Sequence, residues 1–393
     1  MRPLALLLAL LALPLGAQKP IDVETDINAL AAKGVIAVAV VSDDAVLGNL
    51  VQFALSSHGA IRLVAGSSVK VRIGRTALTA VVACDDPAYT FRTNVEGRDE
   101  DQLALLVADA AIVGLGRRWQ LRPLYADTKI AFVSKRTGHE EIYVTNLARS
   151  MTRQLTNYRS VSLRPRWSHD GARVYFISSF RSNWPEMFST NGVGEAAKVI
   201  TNARGALGAA SSGPDGRILF ASSNKGTMDI WSAGPLGEAR TLVLRATKDE
   251  IHADPAWSPD GTRFALTSGP TARPGIHLAT PGVSRPQAVR TGFGYSTEPR
   301  WNPVFPDQLV FTYQEAGLRL GLIDLATGTV KPVVTASPVS LTHAAWCADG
   351  RHLVAAQGDW LAVVDSLSGK VTRLTSPQMG LCSAPDNWTR RAR

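Results

Sequence analysis

The chain is 393 residues long, carries a formal net charge of +9 and contains three cysteines. Its basic residues are spread thinly, without the patch of interleaved Lys, Arg and aromatic side chains that is typical of nucleic-acid binding, so we exclude nucleic acid as a partner. Cys84, Cys347 and Cys382 are too few and too far apart for a disulfide framework. We expect buried free thiols, with a Cys347–Cys382 disulfide as the alternative.

The first residues have the pattern of a secretory signal. A basic start at Arg2 precedes Leu4–Leu13, which is almost wholly Leu and Ala, and Ala17 supplies a small residue for cleavage. The apolar run is too short to span a bilayer, which needs about 20 residues. We therefore predict a signal peptide over residues 1–17 and an exported, periplasmic mature protein that begins at Gln18.

Residues 18–125 indicate a small α/β domain. The continuous apolar run Gly34–Val41 is typical of a strand buried on both faces. Asp43 and Asp44 can cap a helix over about Ala45–Ser57. The remaining predicted elements are strands near Ile61–Val64, Val69–Ile73 and Ala77–Ala83, a helix over Gln102–Val113, and a connection over Trp119–Asp127.

A phrase of Trp followed by an Asp-Gly turn recurs in the rest of the chain. Copies begin at Trp167, Trp257 and Trp346, the copy at Ser212 lacks the Trp, and the copy at Trp301 has lost the Asp-Gly pair. The Trp residues are 90, 44 and 45 residues apart, and the copy without Trp lies halfway along the 90-residue interval. A period of about 45 residues in an all-β pattern predicts the blades of a propeller.

Each repeat has room for four short strands. After the turn at Trp257 come the strand patterns Arg263–Thr267, Ile276–Ala279 and Ala288–Thr291. The first unit, which begins at Ile130, has no innermost strand of its own, and Leu381–Trp388 can supply it. We therefore predict, over residues 126–393, an all-β six-bladed propeller closed by the C-terminal strand, which leaves no open sheet edge.

The repeated Trp and Asp residues are interpreted as structural. Each Trp occupies the same place in its blade and fills space between sheets, and each Asp is a turn residue and not a catalytic acid. The residues assigned to this role are Trp167, Asp170, Asp215, Trp257, Asp260, Trp301, Trp346, Asp349 and Trp388.

The residues just before each repeated Trp predict a binding surface. The loop that feeds the innermost strand of a blade opens onto the mouth of the central channel, and here the charges vary while the following Pro and Trp vary little. Solvated loop residues are the alternative interpretation. The predicted rim consists of Arg164, His252, Asp254, Thr297, Glu298, Thr342 and His343.

No motif for catalysis or cofactor binding stands out. The seven histidines show no metal-ligand spacing, and there is no Cys-x-x-Cys pair and no Gly-x-Ser-x-Gly elbow. We therefore predict no catalytic residue, no cofactor and no metal, and interpret the chain as non-enzymatic. The alternative is a metal-dependent hydrolase in the channel mouth, which would use Asp254, Glu298, His252 and His343.

The order of signal peptide, small α/β domain and six-bladed propeller resembles the TolB family, the periplasmic component of the Tol–Pal envelope system. The best copies of the family's repeat are Arg164–Gly171 and Asp254–Gly261, and Lys129–Ser134 resembles its entry into the propeller. The resemblance covers Lys129–Trp388 most clearly. The N-terminal domain matches in outline, and the mature start Gln18–Asp22 does not visibly match the family's N-terminal segment.

The resemblance implies a monomeric adaptor that supports outer-membrane integrity. In the family, the propeller mouth receives the peptidoglycan-associated lipoprotein Pal, which here places Pal against the predicted rim. The family's N-terminal segment engages the inner-membrane protein TolA, and the matching positions are about Gln18–Thr25. A propeller of the same superfamily that binds another envelope protein or a glycan is the alternative.

Overall fold

A computed structural model describes residues 34–389, apart from 183, 192–197, 202–204, 224–225 and 335–339. The predicted signal peptide and the segment Gln18–Thr25 lie outside the described residues. Among the described residues, no helix is long and apolar enough to cross a membrane.

The N-terminal part of the described chain is a mixed five-stranded sheet with two helices. The strands are β1 (Ile36–Ser42), β2 (Ile61–Leu63), β3 (Lys70–Thr76), β4 (Thr79–Cys84) and β5 (Phe91–Glu96), in the order β2-β1-β3-β4-β5. Strand β1 runs parallel to β2 and β3, and the other pairs are antiparallel. The helices are α1 (Ala45–Ser57) and α2 (Glu100–Leu115), and they pack against each other and against the sheet.

Side-chain caps set the beginnings of both helices. Asp44 accepts the N–H of Leu47 at 3.0 Å, and Asp99 accepts the N–H of Gln102 at 2.7 Å. These bonds satisfy donors that a helix N-terminus leaves free. The predicted α/β organisation is confirmed. Strand β5 was not predicted, because its side chains after Phe91 are mostly polar.

Six four-stranded antiparallel sheets follow, which confirms the predicted six blades. Blade 1 contains β6 (Thr128–Ser134), β7 (Glu141–Asn146) and β8 (Thr152–Gln154). Blade 2 contains β9 (Ser162–Trp167), β10 (Val174–Ser178), β11 (Glu186–Thr190) and β12 (Lys198–Thr201). Blade 3 contains β13 (Ser211–Ser212), β14 (Ile218–Ser222), β15 (Asp229–Ala233) and β16 (Thr241–Leu244).

The remaining strands complete the ring. Blade 4 contains β17 (Ile251–Trp257), β18 (Phe264–Gly269), β19 (Gly275–Ala279) and β20 (Gln287–Ala288). Blade 5 contains β21 (Ser296–Trp301), β22 (Gln308–Gln314), β23 (Leu318–Asp324) and β24 (Val330–Pro332). Blade 6 contains β25 (Leu341–Trp346), β26 (His352–Gln357), β27 (Trp360–Asp365) and β28 (Val371–Arg373). The last strand is β29 (Cys382–Thr389).

Strand β29 is the innermost strand of blade 1. It pairs antiparallel with β6, so the C-terminus closes the propeller as predicted. The innermost strands β9, β13, β17, β21, β25 and β29 contact one another in turn and surround the central channel. Both ends of the propeller chain are therefore held in one sheet, and the edges that remain are the short outermost strands of the blades.

The two parts of the molecule share one hydrophobic core. This core joins Val38 and Leu55 of the α/β part to Phe132 and Val363 of blades 1 and 6. The connection is bonded to helix α2, because the buried Asp109 accepts the backbone N–H groups of Leu124, Tyr125 and Ala126 at 2.6, 2.8 and 2.8 Å. The described connection is therefore anchored to the α/β part.

All three cysteines are buried free thiols, so the alternative Cys347–Cys382 disulfide is not formed. Burial raises the pKa of the Cys347 thiol well above its usual value. A thiol whose pKa is raised in this way is a poor nucleophile.

Candidate functional site

The candidate site is the mouth of the central channel. Each innermost strand begins at the mouth and ends on the opposite face, where blades 2, 4, 5 and 6 have the repeated Trp. In five blades this strand contains a β-bulge, at which the register with the second strand shifts. A bulge opposes two residues to one and changes the direction in which a side chain points.

One residue of each bulge has left-handed backbone geometry. These residues are Arg164, Asp254, Glu298, His343 and Ala384, and their φ values lie between 46° and 57°. Four of them are charged or polar residues of the predicted rim. A left-handed non-glycine residue costs about 1–3 kcal/mol, and such strain is concentrated at functional sites. The described innermost strand of blade 3, β13, has no such non-glycine residue.

An ion pair crosses the mouth in front of blade 3. Nη1 of Arg164 in blade 2 lies 3.2 Å from Oδ1 of Asp254 in blade 4. The Asp254 side chain is 13% exposed and also accepts the hydroxyl of Thr267 at 3.3 Å, whereas the Arg164 side chain is 42% exposed. The arginine is therefore the accessible member of this pair.

A second pair joins blades 5 and 6. Nε2 of His343 lies 2.9 Å from Oε1 of Glu298, and the backbone N–H of His343 donates to Oε2 at 3.0 Å. The hydroxyl of Thr312 also donates to Oε2, at 2.9 Å. Burial alone would raise the pKa of Glu298, but the side chain of His343 and the other two donors lower it to about 2.

The other predicted rim residues lie in different environments. Thr297 and Thr342 are half-buried beside Glu298 and His343, and the Thr342 hydroxyl lies 3.0 Å from Nδ1 of His343. His252 is buried instead of facing the mouth, and its Nδ1 lies 3.0 Å from the hydroxyl of Ser268. Burial lowers the pKa of His252, which is typical of a neutral core histidine. The prediction of His252 as a rim residue therefore needs correction.

A second group of charged side chains lies two residues after the left-handed residues of the innermost strands. The buried Arg166 lies 3.8 Å from Asp386, and Asp386 accepts the backbone N–H of Trp167 at 2.8 Å. Burial lowers the pKa of Arg166 to about 10 and raises the pKa of Asp386. These groups were not predicted, because the equivalent position varies between repeats, with Ala in blades 4 and 6 and Arg300 in blade 5.

The repeated Trp residues connect neighbouring blades. The indole N–H of Trp301 donates to the carbonyl of Ala256 in the preceding blade at 2.8 Å, and that of Trp346 donates to Arg300 at 3.1 Å. Trp167 and Trp257 are half-buried in the corresponding strand positions, and their indole nitrogens are buried without a hydrogen-bond partner. These contacts support the structural interpretation of the Trp repeat.

Trp388 does not occupy this position, which corrects its assignment as a repeat residue. In the register with β6, Asn387 stands where blades 2, 4, 5 and 6 have Trp. The Asn387 amide donates to the carbonyls of Ala345 and Trp346 at 3.0 and 3.2 Å, as the indoles do elsewhere. The indole of Trp388 instead donates to the carbonyl of His169 in blade 2 at 3.2 Å.

The repeated Asp residues hold the turns on the face opposite to the mouth. Asp170 and Asp260 each accept a Ser hydroxyl and the backbone N–H two residues later, and Asp215 accepts the N–H of Arg217. Asp349 differs, because it accepts two backbone N–H groups and also lies 2.6 Å from Nδ1 of His352.

Exposed apolar side chains flank the mouth. Val161 and Leu163 lie at the start of β9, Leu381 immediately precedes β29, and Trp184 lies in the loop between β10 and β11. Strand direction places all four on the mouth side. Their exposed fractions are 44%, 36%, 47% and 60%, respectively. They were not predicted, because single apolar residues in loops give no periodic signal. Exposed apolar side chains beside charged ones occur at protein-binding surfaces.

The α/β part covers the opposite face. Arg149 of the β7–β8 turn lies over the ring of Phe53 at 3.6 Å, and Nζ of Lys370 in the β27–β28 turn donates to the carbonyl of His58 at 3.3 Å. These turns lie at the Trp ends of the blades. The mouth is therefore left uncovered by the described α/β part.

Within the described residues, one group of three side chains has metal-ligand atoms close together: His58, His352 and Asp365. This group lies on the face opposite to the mouth. The residues of the alternative hydrolase, Asp254, Glu298, His252 and His343, do not form such a group in the described mouth. The fold and the mouth together define a class of protein: a six-bladed propeller with an open polar mouth and an α/β part on its other face.

Proteins named TolB are similar to this chain in sequence. A TolB homologue of Chlorobium luteolum is 29% identical over 235 residues, which are 59% of this chain and 52% of that protein. The Tol-Pal system protein TolB of Anaeromyxobacter sp. is 28% identical over 191 residues, which are 48% of this chain and 39% of that protein. The matched regions thus span about half or less of these relatives. No protein-family model matches the chain.

The crystal structure of TolB from Acinetobacter baumannii matches with a TM-score of 0.75 at 17% identity, and covers 91% of this chain and 97% of that one. Kuenenia stuttgartiensis hydrazine synthase matches with a TM-score of 0.55 at 13% identity over 68% of this chain. At such identities the matches show the fold alone, which serves unrelated functions. The resemblance to TolB predicted from the sequence is confirmed, by sequence similarity to proteins of that name and by the shared fold.

Proposed function

We propose that the chain is a non-enzymatic periplasmic adaptor of a Tol–Pal system, and that its propeller mouth binds a peptidoglycan-associated lipoprotein of the Pal type. The observation that carries this proposal is the set of charged and polar side chains at the bulges around the channel mouth. Its support is the left-handed backbone geometry of Arg164, Asp254, Glu298 and His343 at the bulges of the innermost strands, together with exposed apolar side chains at the same ends of the blades. The similarity to relatives named as Tol–Pal system proteins supports the choice of partner.

The mixture of charge and apolar surface favours a protein partner over a glycan. Protein interfaces combine an apolar centre with a polar rim, and aromatic residues and Arg carry much of their binding energy. Trp184 and Arg164 are both exposed at this face. We expect these two side chains to contribute most to the affinity.

The direct test measures binding of the mature chain to the soluble domain of the Pal-type lipoprotein from the same organism by calorimetry. Leu163→Glu places a charge on the mouth, and Val283→Glu places the same charge on an exposed residue of the β19–β20 connection, on the opposite face. We expect Leu163→Glu to weaken binding at least tenfold and Val283→Glu to leave it unchanged.

Charge reversal tests the polar part of the rim. Asp254→Arg with Glu298→Arg should abolish recovery of the lipoprotein from an envelope extract, while Arg164→Ala should weaken it. Circular dichroism establishes whether each variant is folded. Equal recovery by wild type and by folded variants would move the binding site away from the mouth, and failure of the wild type to bind would reject the lipoprotein as its partner.

We also propose that the N-terminal segment of the mature chain, about Gln18–Thr25, engages a TolA-like inner-membrane protein. This proposal is supported by the family resemblance and by the position of the segment before β1. Deleting residues 18–25 should abolish binding to the TolA-like protein and leave binding at the mouth intact. Unchanged binding to the TolA-like protein after the deletion would contradict it.

A further inference from the structure

Buried ionisable side chains join the α/β part to blade 6. His58 follows helix α1, and it packs against His352 of β26, with the two ring centroids 4.4 Å apart. Asp349, in the turn after β25, and Asp365, at the end of β27, lie beside His352. All four side chains are buried. Two histidines and two carboxylates buried between these two parts require a defined arrangement of protons, because unpaired buried charge is costly.

The blade 6 side of this cluster is internally neutralised. His352 lies between two carboxylates, with Nδ1 2.6 Å from Asp349 and Nε2 3.3 Å from Asp365. Arg351 binds Asp365 through two nitrogens, with its closest contact at 2.7 Å. Burial would lower the pKa of His352, but Asp349 and Asp365 raise it to about 9. The imidazolium of His352 and the Arg351 guanidinium thus balance the two carboxylates at neutral pH.

His58 meets this cluster as a neutral ring. Its Nδ1 accepts the backbone N–H of Ala60 at 3.1 Å, so the ring proton belongs on Nε2. Burial and the positive charges of His352 and Arg351 lower the pKa of His58 well below its usual value. The approach is close, because a Cβ on the neighbouring Gly59 would lie 1.8 Å from Oδ2 of Asp365. A protonated His58 would therefore have little room, and each nearby carboxylate is already paired with His352 or Arg351.

We propose that the His58–His352 contact is a pH-sensitive clasp between the α/β part and the propeller, closed while His58 is neutral and opened by its protonation. A proton on His58 would place a buried charge beside the imidazolium of His352 and the guanidinium of Arg351. In the open state, solvent stabilises that proton. This proposal does not depend on the identity of any partner at the mouth.

The direction of the pH effect follows from the proton balance. An open His58 titrates near 6.5, whereas the closed one stays neutral to lower pH, so closure is fully favoured above about 6.5 and weakens as pH falls below it. His352 affects closure at high pH. Its protonated form stabilises the closed state fully below pH 6.5, and this stabilisation is lost as pH rises through about 9.

Other groups face the same interface. Lys370 donates to the carbonyls of His58 and Ile61, and Tyr125 and Cys347 are neutral because burial raises the pKa of each. Asp109 of α2 opposes the effect of His58. Burial raises its pKa to about 6, so its protonation favours the closed state as pH falls from 6 towards 4. The clasp is therefore best observed between pH 7.5 and 5.5.

A bound metal ion is the competing explanation. Ligand atoms of His58, His352 and Asp365 lie within 4.8 Å of one another, and two imidazoles and a carboxylate suit Zn²⁺. Two observations favour the proton clasp. Arg351 already binds Asp365 through two nitrogens, and the N–H of Ala60 already uses the lone pair on Nδ1 of His58.

Hydrogen exchange of the full chain tests the proposal. Protection factors of residues 55–61 and 365–370 report on the interface, and those of β14 in blade 3 provide an internal reference. Between pH 7.5 and 5.5 we expect interface protection in the wild type to fall by up to about tenfold, with β14 unchanged. His58→Asn retains an acceptor for the N–H of Ala60 but cannot titrate, so its interface protection should not change with pH.

A matched control and a spectroscopic measurement complete the test. His277→Asn removes a half-buried histidine in blade 4 and should retain the wild-type pH dependence. Nitrogen NMR of wild-type imidazoles at pH 7.5 should show His352 doubly protonated and His58 neutral, which tests the charge arrangement even if His58→Asn does not fold.

Three results would overturn the clasp. The first is a wild-type interface whose protection does not change with pH, and the second is an equal change in wild type and His58→Asn. The third is a rise in interface protection on adding Zn²⁺ at pH 7.5 that His58→Asn abolishes, because it would identify the cluster as a metal site.

Discussion

Glu298 and His343 form one hydrogen-bonded unit across two blades of the propeller mouth. The carboxylate lies 2.9 Å from Nε2 of His343 and accepts the backbone N–H of the same residue at 3.0 Å. Because both residues have left-handed backbone geometry, these bonds offset local strain as well as the loss of solvent. The rim is therefore part of the stability of the propeller, and changes to it must be interpreted with stability measured alongside binding.

Glu298→Gln should destabilise the fold in a pH-dependent way. The pKa of Glu298 is lowered from 4.5 to about 2, so its ionisation contributes at most about 3 kcal/mol above pH 4.5, and this contribution is lost as pH falls towards 2. The difference in unfolding free energy between wild type and variant should therefore be largest at pH 7 and less than half as large at pH 3. Urea unfolding at the two pH values measures it.

Glu315→Gln is the matched control, because Glu315 is exposed at the end of the β22–β23 hairpin in the same blade. We expect a change within about 0.5 kcal/mol at either pH. If Glu298→Gln lost equal stability at pH 7 and pH 3, the loss would come from packing and not from the charge.

Gly171 and Gly216 occupy the same turn in blades 2 and 3 but have different surroundings. Both have positive φ, at +69° and +80°. A Cβ at Gly171 would lie 2.3 Å from the indole of Trp388, whereas a Cβ at Gly216 meets nothing within 4 Å. Gly216→Ala should cost about 1 kcal/mol for backbone strain, and Gly171→Ala should cost clearly more because Trp388 must move. Chemical denaturation of the two variants measures the difference, and equal losses would contradict the contact.

Asn387→Ala should weaken closure of the propeller. The Asn387 amide donates to Ala345 and Trp346 of blade 6, and its loss leaves buried carbonyls without that donor, at about 1–3 kcal/mol. Asn94→Ala, on the exposed side of β5, is the control and should change stability by less than about 0.5 kcal/mol. Thermal unfolding compares the two, and an equal effect would show that the Asn387 bonds do not support closure.

The repeat predicted the fold because the same sequence pattern recurs in most of the blades. The turn at Asp260 and the Trp before it indicate where an innermost strand ends. Five copies of this pattern at a regular spacing indicate a ring of blades. Asp254 and Glu298 hold one position in the repeat, which is why the sequence could place them at equivalent points of neighbouring blades; their role as a binding rim stays a prediction. His252 was misplaced because the bulge after it breaks the alternation that would tell which face of the strand a side chain occupies.

Contacts between distant segments could not be predicted. His58 lies in the α/β part and His352 in blade 6, and neither belongs to a motif that indicates the other. Asn387 was missed because an amide stands where most repeats have an indole, although it makes the same kind of hydrogen bond. The Trp next to it, Trp388, was assigned to the repeat instead. Such relationships depend on three-dimensional packing, which periodicity along the chain does not encode.

Asp109→Asn should loosen the connection between the two parts of the molecule. An amide can accept with one oxygen, so its nitrogen would face one of the N–H groups of Leu124, Tyr125 or Ala126, at a cost of about 1–3 kcal/mol. Because the pKa of Asp109 is raised to about 6, the wild type should gain stability relative to the variant as pH falls from 6 to 4. Asp101→Asn, in the first turn of α2, should show neither effect beyond a few tenths of a kcal/mol. Urea unfolding at pH 7 and pH 4.5 measures both predictions, and a gap between wild type and Asp109→Asn that narrows towards pH 4.5 would show that Asp109 does not titrate as a buried acceptor.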